Sequence, residues 1–151
     1  MTTDNNSHVA EIQVSYRPAI THKPKMVSVL DVYTHFIPFF PKETIALQER
    51  FVVMYLNRNN RILGIYPMSV GGITSALVDI RLILSVALKV VATSIAIAHN
   101  HPSGELNPSE ADREITDKIK EACKLMDIRL IDHLILSPTG EYLSFENEGF
   151  I

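Results

Sequence analysis

The spacing in this chain that is most suggestive of chemistry is that of two histidines, a serine and an aspartate. His99 and His101 lie two residues apart, and Ser109 and Asp112 follow shortly afterwards. If the chain is extended through the histidines, alternate side chains point to opposite faces, so both imidazoles share one face. Two imidazoles and a carboxylate can hold a zinc ion and leave a fourth position open, which distinguishes catalytic from structural zinc sites. The spacing therefore indicates a metal site that can do hydrolytic chemistry.

The residues around these side chains predict the elements that position them. The small and β-branched residues 94–98 favour a buried strand that carries the histidines. Pro102 lacks an amide donor and ends this strand. Ser109 begins a helix whose apolar stripe continues to Met126. A strand end, a tight loop and the start of a helix thus bring the two imidazoles and the carboxylate together.

A purely structural interpretation of Ser109 and Asp112 stays open. A serine followed three residues later by an acidic residue resembles the capping box, in which both side chains bind amides at the start of a helix. An aspartate in the first turn is also favourable for the helix dipole. The histidine pair has no comparable packing role, so the two halves of the motif together favour a metal site.

The spacing His99-x-His101 followed by Ser109-x-x-Asp112 resembles the JAMM signature of the JAB/MPN metalloprotease superfamily. Within it, the string His-Asn-His-Pro-Ser-Gly resembles the bacterial RadC family, and the resemblance runs from about Glu49 to the end of the chain. It implies that His99, His101 and Asp112 bind one zinc ion per chain and that Ser109 stabilises the oxyanion. It also implies a three-layer α/β/α fold with a mixed central sheet, of the cytidine-deaminase-like type.

Glu49 is the candidate for the upstream glutamate of the family, which acts as the general acid/base. It precedes the hydrophobic strand predicted at residues 51–56, the place the family pattern gives that glutamate. A carboxylate that is not a metal ligand can take a proton from water and return it to the leaving amine. Glu43 is the rival, but it falls in a short helix predicted at residues 41–48, where an acidic residue is merely favourable.

The resemblance implies a zinc-dependent hydrolase that cleaves a peptide, isopeptide or related amide bond in an unidentified peptide or protein substrate. Two alternatives stay open, a non-catalytic MPN scaffold and a DNA repair or recombination factor. The net charge of −3 and the pI of about 6.0 give no basic footprint for nucleic acid. RadC proteins carry an N-terminal region resembling a helix-hairpin-helix, and the residues before Glu49 contain no such pattern. A homo-oligomer also stays open.

Other metal-dependent classes fit the sequence less well. The literal His-Asn-His string differs from HNH nucleases, in which these residues are dispersed along the chain. A zinc deaminase needs a cysteine pair, and Cys123 is the single cysteine of the sequence. One cysteine excludes an internal disulfide and fits a reducing compartment such as the cytoplasm. Its place on the apolar stripe predicts a buried structural thiol.

Residues 82–98 are apolar enough to suggest a membrane span, but Lys89 near their middle would be costly in a bilayer. We therefore expect a buried helix over residues 74–91, then the histidine strand, and no membrane span.

Residues 1–25 are predicted to be an N-terminal tail with a strand at 9–16, and residues 26–151 the metalloprotease domain. Further predicted elements are a helix from Ser28 to about Phe36 and hairpins around residues 57–60 and 137–140. His133 is expected to be a core histidine or a group that buttresses the metal site.

Overall fold

The computed structural model describes residues 9–18, 22–71 and 78–151. Within these ranges the helices are α1 (Val29–Phe36), α2 (Ile80–Lys89) and α3 (Glu110–Leu125), with a short 3-10 turn at Ile37–Phe39. The strands are β1 (Arg50–Leu56), β2 (Ile62–Val70), β3 (Ser94–Asn100), β4 (Arg129–Leu136) and β5 (Tyr142–Ser144). They form one mixed sheet in the order β2-β1-β3-β4-β5.

The sheet combines two hairpins with one parallel pair. β1 pairs antiparallel with β2 and with β3, and β4 pairs antiparallel with β5. β3 and β4 are parallel, and α3 makes the crossover that a parallel connection requires. Both predicted hairpins are confirmed, with turns at residues 57–61 and 137–141.

Helices cover both faces of the sheet. On one face α1 supplies Val32 and Phe36 to a core with Val52 and Met54 of β1. On the other face α2 and α3 pack against the alternate strand residues, because neighbouring side chains of a strand point to opposite faces. The core members on that face include Phe51, Val53, Ile95, Ile97, Ile83, Ala87, Ile119 and Cys123. The predicted three-layer α/β/α arrangement with a mixed sheet is confirmed.

A bulge in β4 changes which of its residues face α2 and α3. Leu130 pairs with Ile95, but Asp132 pairs with Ala96, so Ile131 is an extra residue between them. Strict alternation from Leu130 would send His133 to the α1 face. Because of the bulge, His133 pairs with Ile97 and lies on the α2 and α3 face.

Two predicted elements near the start of the chain are wrong. Residues 9–16 form no strand, because Ile12 and Val14 remain 88% and 70% exposed and no burial of the alternating side chains favours pairing. Residues 41–48 form a series of turns instead of a helix. The carbonyls of Ile45 and Gln48 there bind the side chain of Asn100 rather than continuing a helical ladder. The helix from Ser28 to Phe36 is confirmed.

The predicted helix over residues 74–91 is shorter and less buried than expected. It starts at Ile80, because the Asp79 side chain accepts a hydrogen bond from the backbone N–H of Arg81 and caps it. Only one face is buried, since Leu82 and Leu88 are 45% and 54% exposed. In the part of the chain that is described, no helix is long and apolar enough to cross a membrane. The predictions for residues 1–7 and 74–77 lie outside the described residues.

Candidate metal centre and catalytic site

The end of β3 places both histidines of the motif on one face. His99 pairs with Phe51 of β1, and its ring lies on the α2 and α3 side of the sheet. His101 follows the last residue of β3, but its backbone N–H donates to the carbonyl of Leu136 at 2.9 Å. The extended ladder therefore continues one residue past the strand, and the imidazole of His101 stays on the same side as that of His99.

The start of α3 brings Asp112 to the two imidazoles. Oδ1 of Asp112 lies 3.2 Å from Nε2 of His99, and Oδ2 lies 3.2 Å from Nε2 of His101. The two Nε2 atoms are 2.9 Å apart. All three side chains thus present ligand atoms within 4.8 Å of one another. The structure brings together the three residues that the sequence proposed as metal ligands.

The donor atoms at this centre fit a divalent cation. Nδ1 of His101 lies 2.6 Å from the carbonyl of Glu105, and a carbonyl only accepts hydrogen bonds, so this nitrogen carries the ring proton. In neutral His101, Nε2 therefore presents a lone pair toward Asp112. Lone pairs of a carboxylate and an imidazole repel each other at this separation unless positive charge lies between them. A metal ion provides that charge, and this donor set is one that zinc accepts.

The electrostatics of the centre favour positive charge as well. The hydrogen bond with Asp112 raises the pKa of His101, and the charge of Glu49 adds to the increase. Burial raises the pKa of Asp112, but His101 and His99 donate hydrogen bonds to it when their rings are protonated, and this holds the pKa of Asp112 well below its usual range. Asp112 is therefore a carboxylate that is ready to bind a cation.

Glu49 lies beside the metal centre, whereas Glu43 lies in the turns before β1. Continuing the antiparallel register of Phe51 and His99 by two residues places Glu49 opposite His101. Glu49 is half-buried, and its backbone carbonyl accepts a hydrogen bond from Gly71 at 2.8 Å. Glu43 is exposed on the turn before it. Of the two candidates, only Glu49 continues the register of β1 to a position opposite His101.

Ser109 caps α3 and can still donate a hydrogen bond. Its Oγ accepts from the backbone N–H of Asp112 at 3.1 Å, and its own N–H donates to Oδ2 of Asp112 at 2.8 Å. This capping box uses a lone pair of the hydroxyl oxygen and leaves the hydroxyl proton for another acceptor. The side chain is exposed at the mouth of the centre. The structural and the catalytic interpretations of Ser109 are therefore compatible.

Comparison with known proteins identifies the family of the chain. Residues 26–150 match the family model described as the RadC-like JAB domain. The chain belongs to the RadC-like JAB domain family. A UPF0758 protein of Flavobacterium johnsoniae is 42% identical over 125 residues, which cover 83% of this chain and 53% of that protein. A UPF0758 protein of Porphyromonas gingivalis is 35% identical over 143 residues, covering 95% of this chain and 63% of that protein. The chain spans roughly half to two thirds of the length of these relatives.

Three further residues of this RadC-like JAB domain support the centre. His133 is fully buried, with Nε2 2.7 Å from Nδ1 of His99. Burial, together with the charge of His99, lowers the pKa of His133 well below its usual range, so the ring is neutral. Thr116 binds the other nitrogen of His133, and Asn100 binds the backbone on both sides of Glu49.

Different signals could have identified these residues. Thr116 follows Asp112 by four residues, so both lie on the same face of α3 in this RadC-like JAB domain. His133 has no comparable local signal, because its side of the sheet depends on the bulge at Ile131. Alternation along β3 places the side chain of Asn100 on the face opposite the histidines, but alternation alone does not reveal what that side chain contacts.

Proposed function

We propose that this chain is a zinc-dependent hydrolase of peptide, isopeptide or related amide bonds. The observation that carries the proposal is the convergence of His99, His101 and Asp112, whose ligand atoms all lie within 4.8 Å of one another. The register that places Glu49 opposite His101, and the hydrogen bond between Ser109 and Asp112, support the roles of general acid/base and oxyanion donor for these two residues. In the described part of the chain, no other group of three His, Cys, Asp or Glu residues has its ligand atoms at metal-binding distance.

Each side chain has a separate task in the proposed reaction. The zinc ion would be held by Nε2 of His99, Nε2 of His101 and the carboxylate of Asp112. Zinc in such a site lowers the pKa of a water molecule to about 7. Glu49 would take the proton of the water that attacks the amide carbonyl carbon, and would deliver it to the nitrogen of the amine that leaves as the C–N bond breaks. The hydroxyl of Ser109 donates to the carbonyl oxygen as negative charge develops there.

The metal site is tested by elemental analysis of the purified protein. We expect about one zinc ion per chain, and we expect His101→Ala to lose it, because three protein ligands are the usual minimum for a catalytic zinc. His35→Ala is the matched control, since Nδ1 of His35 also binds a backbone carbonyl, that of Asp31 at 2.8 Å, but on α1. Absence of stoichiometric metal after zinc supplementation would overturn the proposal in favour of a non-catalytic scaffold.

The hydrolytic role is tested with Glu49→Gln, assayed on fluorogenic peptide and lysine-isopeptide libraries. We expect this variant to keep its zinc and to lose about 100- to 10,000-fold in kcat, the range for removal of a general acid/base. Glu43→Gln is the control and should retain wild-type activity. Unchanged hydrolysis in Glu49→Gln would show that the assigned mechanism is wrong.

A further inference from the structure

Three consecutive hydrogen bonds, two of them buried and the third partly buried, lead from one metal-ligand candidate to another. Nδ1 of His99 lies 2.7 Å from Nε2 of His133, and Nδ1 of His133 lies 2.7 Å from Oγ1 of Thr116. Oγ1 of Thr116 donates to the backbone carbonyl of Asp112 at 2.5 Å. His133 and Thr116 are 0% and 1% exposed, so water does not compete for the two bonds of the His133 ring.

The chemistry of these groups fixes which atom is the donor in each of the three hydrogen bonds. The carbonyl of Asp112 only accepts, so the single hydroxyl proton of Thr116 must lie between two oxygens that would otherwise repel each other at this distance. Oγ1 of Thr116 can then only accept from His133, which places the ring proton of His133 on Nδ1. The bare Nε2 of His133 accepts in turn from Nδ1 of His99.

We propose that His133 and Thr116 are positioning residues that hold His99 as its Nδ1–H tautomer, with the lone pair of Nε2 directed at the metal centre. The inference rests on the metal site of the proposed function and adds two residues to it. It assigns His133 a role beyond packing, and it connects His99 to Asp112 through a chain of hydrogen bonds.

The alternative tautomer explains why such positioning is needed. If His99 carried its proton on Nε2, that N–H would donate to Oδ1 of Asp112, which is only 3.2 Å away. This hydrogen bond would be favourable in the metal-free protein and would occupy the nitrogen that binds metal. The line through His133 and Thr116 opposes it, because the Nε2–H tautomer of His99 leaves two lone pairs facing each other at 2.7 Å.

Aromatic packing keeps the ring of His133 in the plane that this task requires. Phe145 stacks on it with ring centroids 4.5 Å apart and an interplanar angle of 28°. Phe51 of β1 approaches the same ring edge-on at 6.2 Å. The imidazole is thus held between two aromatic side chains, and rotation away from His99 would break both contacts.

The first test measures zinc affinity by competition with a chelating dye. His133→Phe fills the space but offers no acceptor, and we expect zinc to bind it about 10- to 100-fold more weakly, the usual effect of losing a partner of a metal-bound histidine. His133→Gln can place its side-chain oxygen near the position of Nε2 and should recover most of that loss. Ser144→Ala, which removes a buried hydrogen bond on the other face of the sheet, is the control and should bind zinc like the wild type.

The second test reads the tautomers directly from long-range ¹⁵N–¹H correlation spectra of the zinc-free protein at pH 8. We expect His99 and His133 both to show the Nδ1–H pattern, and Thr116→Val to weaken that preference at both rings. An Nε2–H pattern for His133 in the wild type, or wild-type zinc affinity in folded His133→Phe, would overturn the inference. Because the spectra require neither metal nor activity, a wild type that binds no zinc would contradict the proposed function alone.

Discussion

The side-chain oxygen of Asn100 accepts a hydrogen bond of 2.7 Å from the backbone N–H of Arg50. Its amide nitrogen donates to the carbonyl of Gln48 at 2.9 Å and to that of Ile45 at 2.7 Å. Gln48 and Arg50 are the neighbours of Glu49, so one buried amide holds the backbone on both sides of the candidate general acid/base. The strand that carries the histidines on one face thus uses its opposite face to position Glu49.

This contact predicts a large loss of stability for Asn100→Leu. The substitution leaves three backbone groups without their partner in a buried setting, and we expect the free energy of unfolding to fall by about 3 kcal/mol. Urea unfolding measures the change. Asn59→Ala, in the exposed hairpin turn, is the control and should stay within about 0.5 kcal/mol of the wild type. A loss below about 1 kcal/mol in Asn100→Leu would contradict this account of the contact.

The capping role and the proposed catalytic role of Ser109 can be tested separately, because the chain contains a second capping box. Ser28 and Asp31 cap α1 with the same reciprocal bonds that Ser109 and Asp112 make at α3. We expect Ser109→Ala and Ser28→Ala each to lose about 1 kcal/mol of stability. Only Ser109→Ala should also lose hydrolytic activity, by about 100- to 1000-fold in kcat, since it removes an oxyanion donor.

Unfolding experiments and kinetics on the two variants decide between these roles. Equal retention of activity in both variants would leave Ser109 as a cap alone. Ser109→Asp extends the comparison, because aspartate caps a helix as well as serine does but has no proton to donate when ionised. This variant should keep its stability and still lose activity.

Asp132 makes the stability of the fold depend on pH. It is 3% exposed, and burial raises its pKa, although hydrogen bonds from the Ser144 hydroxyl and from backbone N–H groups oppose the rise. Because the folded-state pKa lies above the unfolded value of about 3.9, the contribution of Asp132 is full below that value and is lost as the pH rises through the folded pKa. We therefore expect Asp132→Asn to gain stability relative to the wild type between about pH 4 and pH 7.

Urea unfolding of both proteins across this pH range measures the effect. Asparagine keeps one oxygen for the backbone N–H of His133 and Glu146 and offers an N–H to Ser144, so the hydrogen bonds can be retained. Asp127→Asn, at an exposed position, is the control. A difference between wild type and Asp132→Asn that is constant with pH would contradict the prediction.

Cys123 should be unreactive in the folded protein. It is fully buried, and burial raises the pKa of its thiol to about 11. Since the thiolate is the reactive form, we expect a disulfide reagent at pH 8 to label it only as fast as the protein unfolds. Leu125→Cys in a Cys123→Ala background is the control, because position 125 is 85% exposed and should react at once. Rapid labelling of Cys123 under native conditions would show that its thiol is accessible to solvent in the folded protein.

Local patterns in the sequence predicted several elements correctly. Ser28 and Ser109 each begin a helix, because the capping box is formed by residues three apart and needs no distant partner. The hairpin at residues 57–60 is equally local. The strand predicted at residues 9–16 failed, because alternation produces a strand only where one face is buried. The helix predicted at residues 41–48 failed because the distant Asn100 binds its carbonyls.

Two features of the site can be predicted from the sequence alone, because each follows from the backbone geometry of one element: His99 and His101 share a face, and Asp112 lies in the first turn of a helix. Two others depend on how distant elements pair: Glu49 lies opposite His101, and His133 contacts His99. The first depends on the register between β1 and β3, and the second on the bulge at Ile131. A shift of one residue in either pairing would move these side chains to the other face of the sheet, and strand register is set by the packing of the whole core.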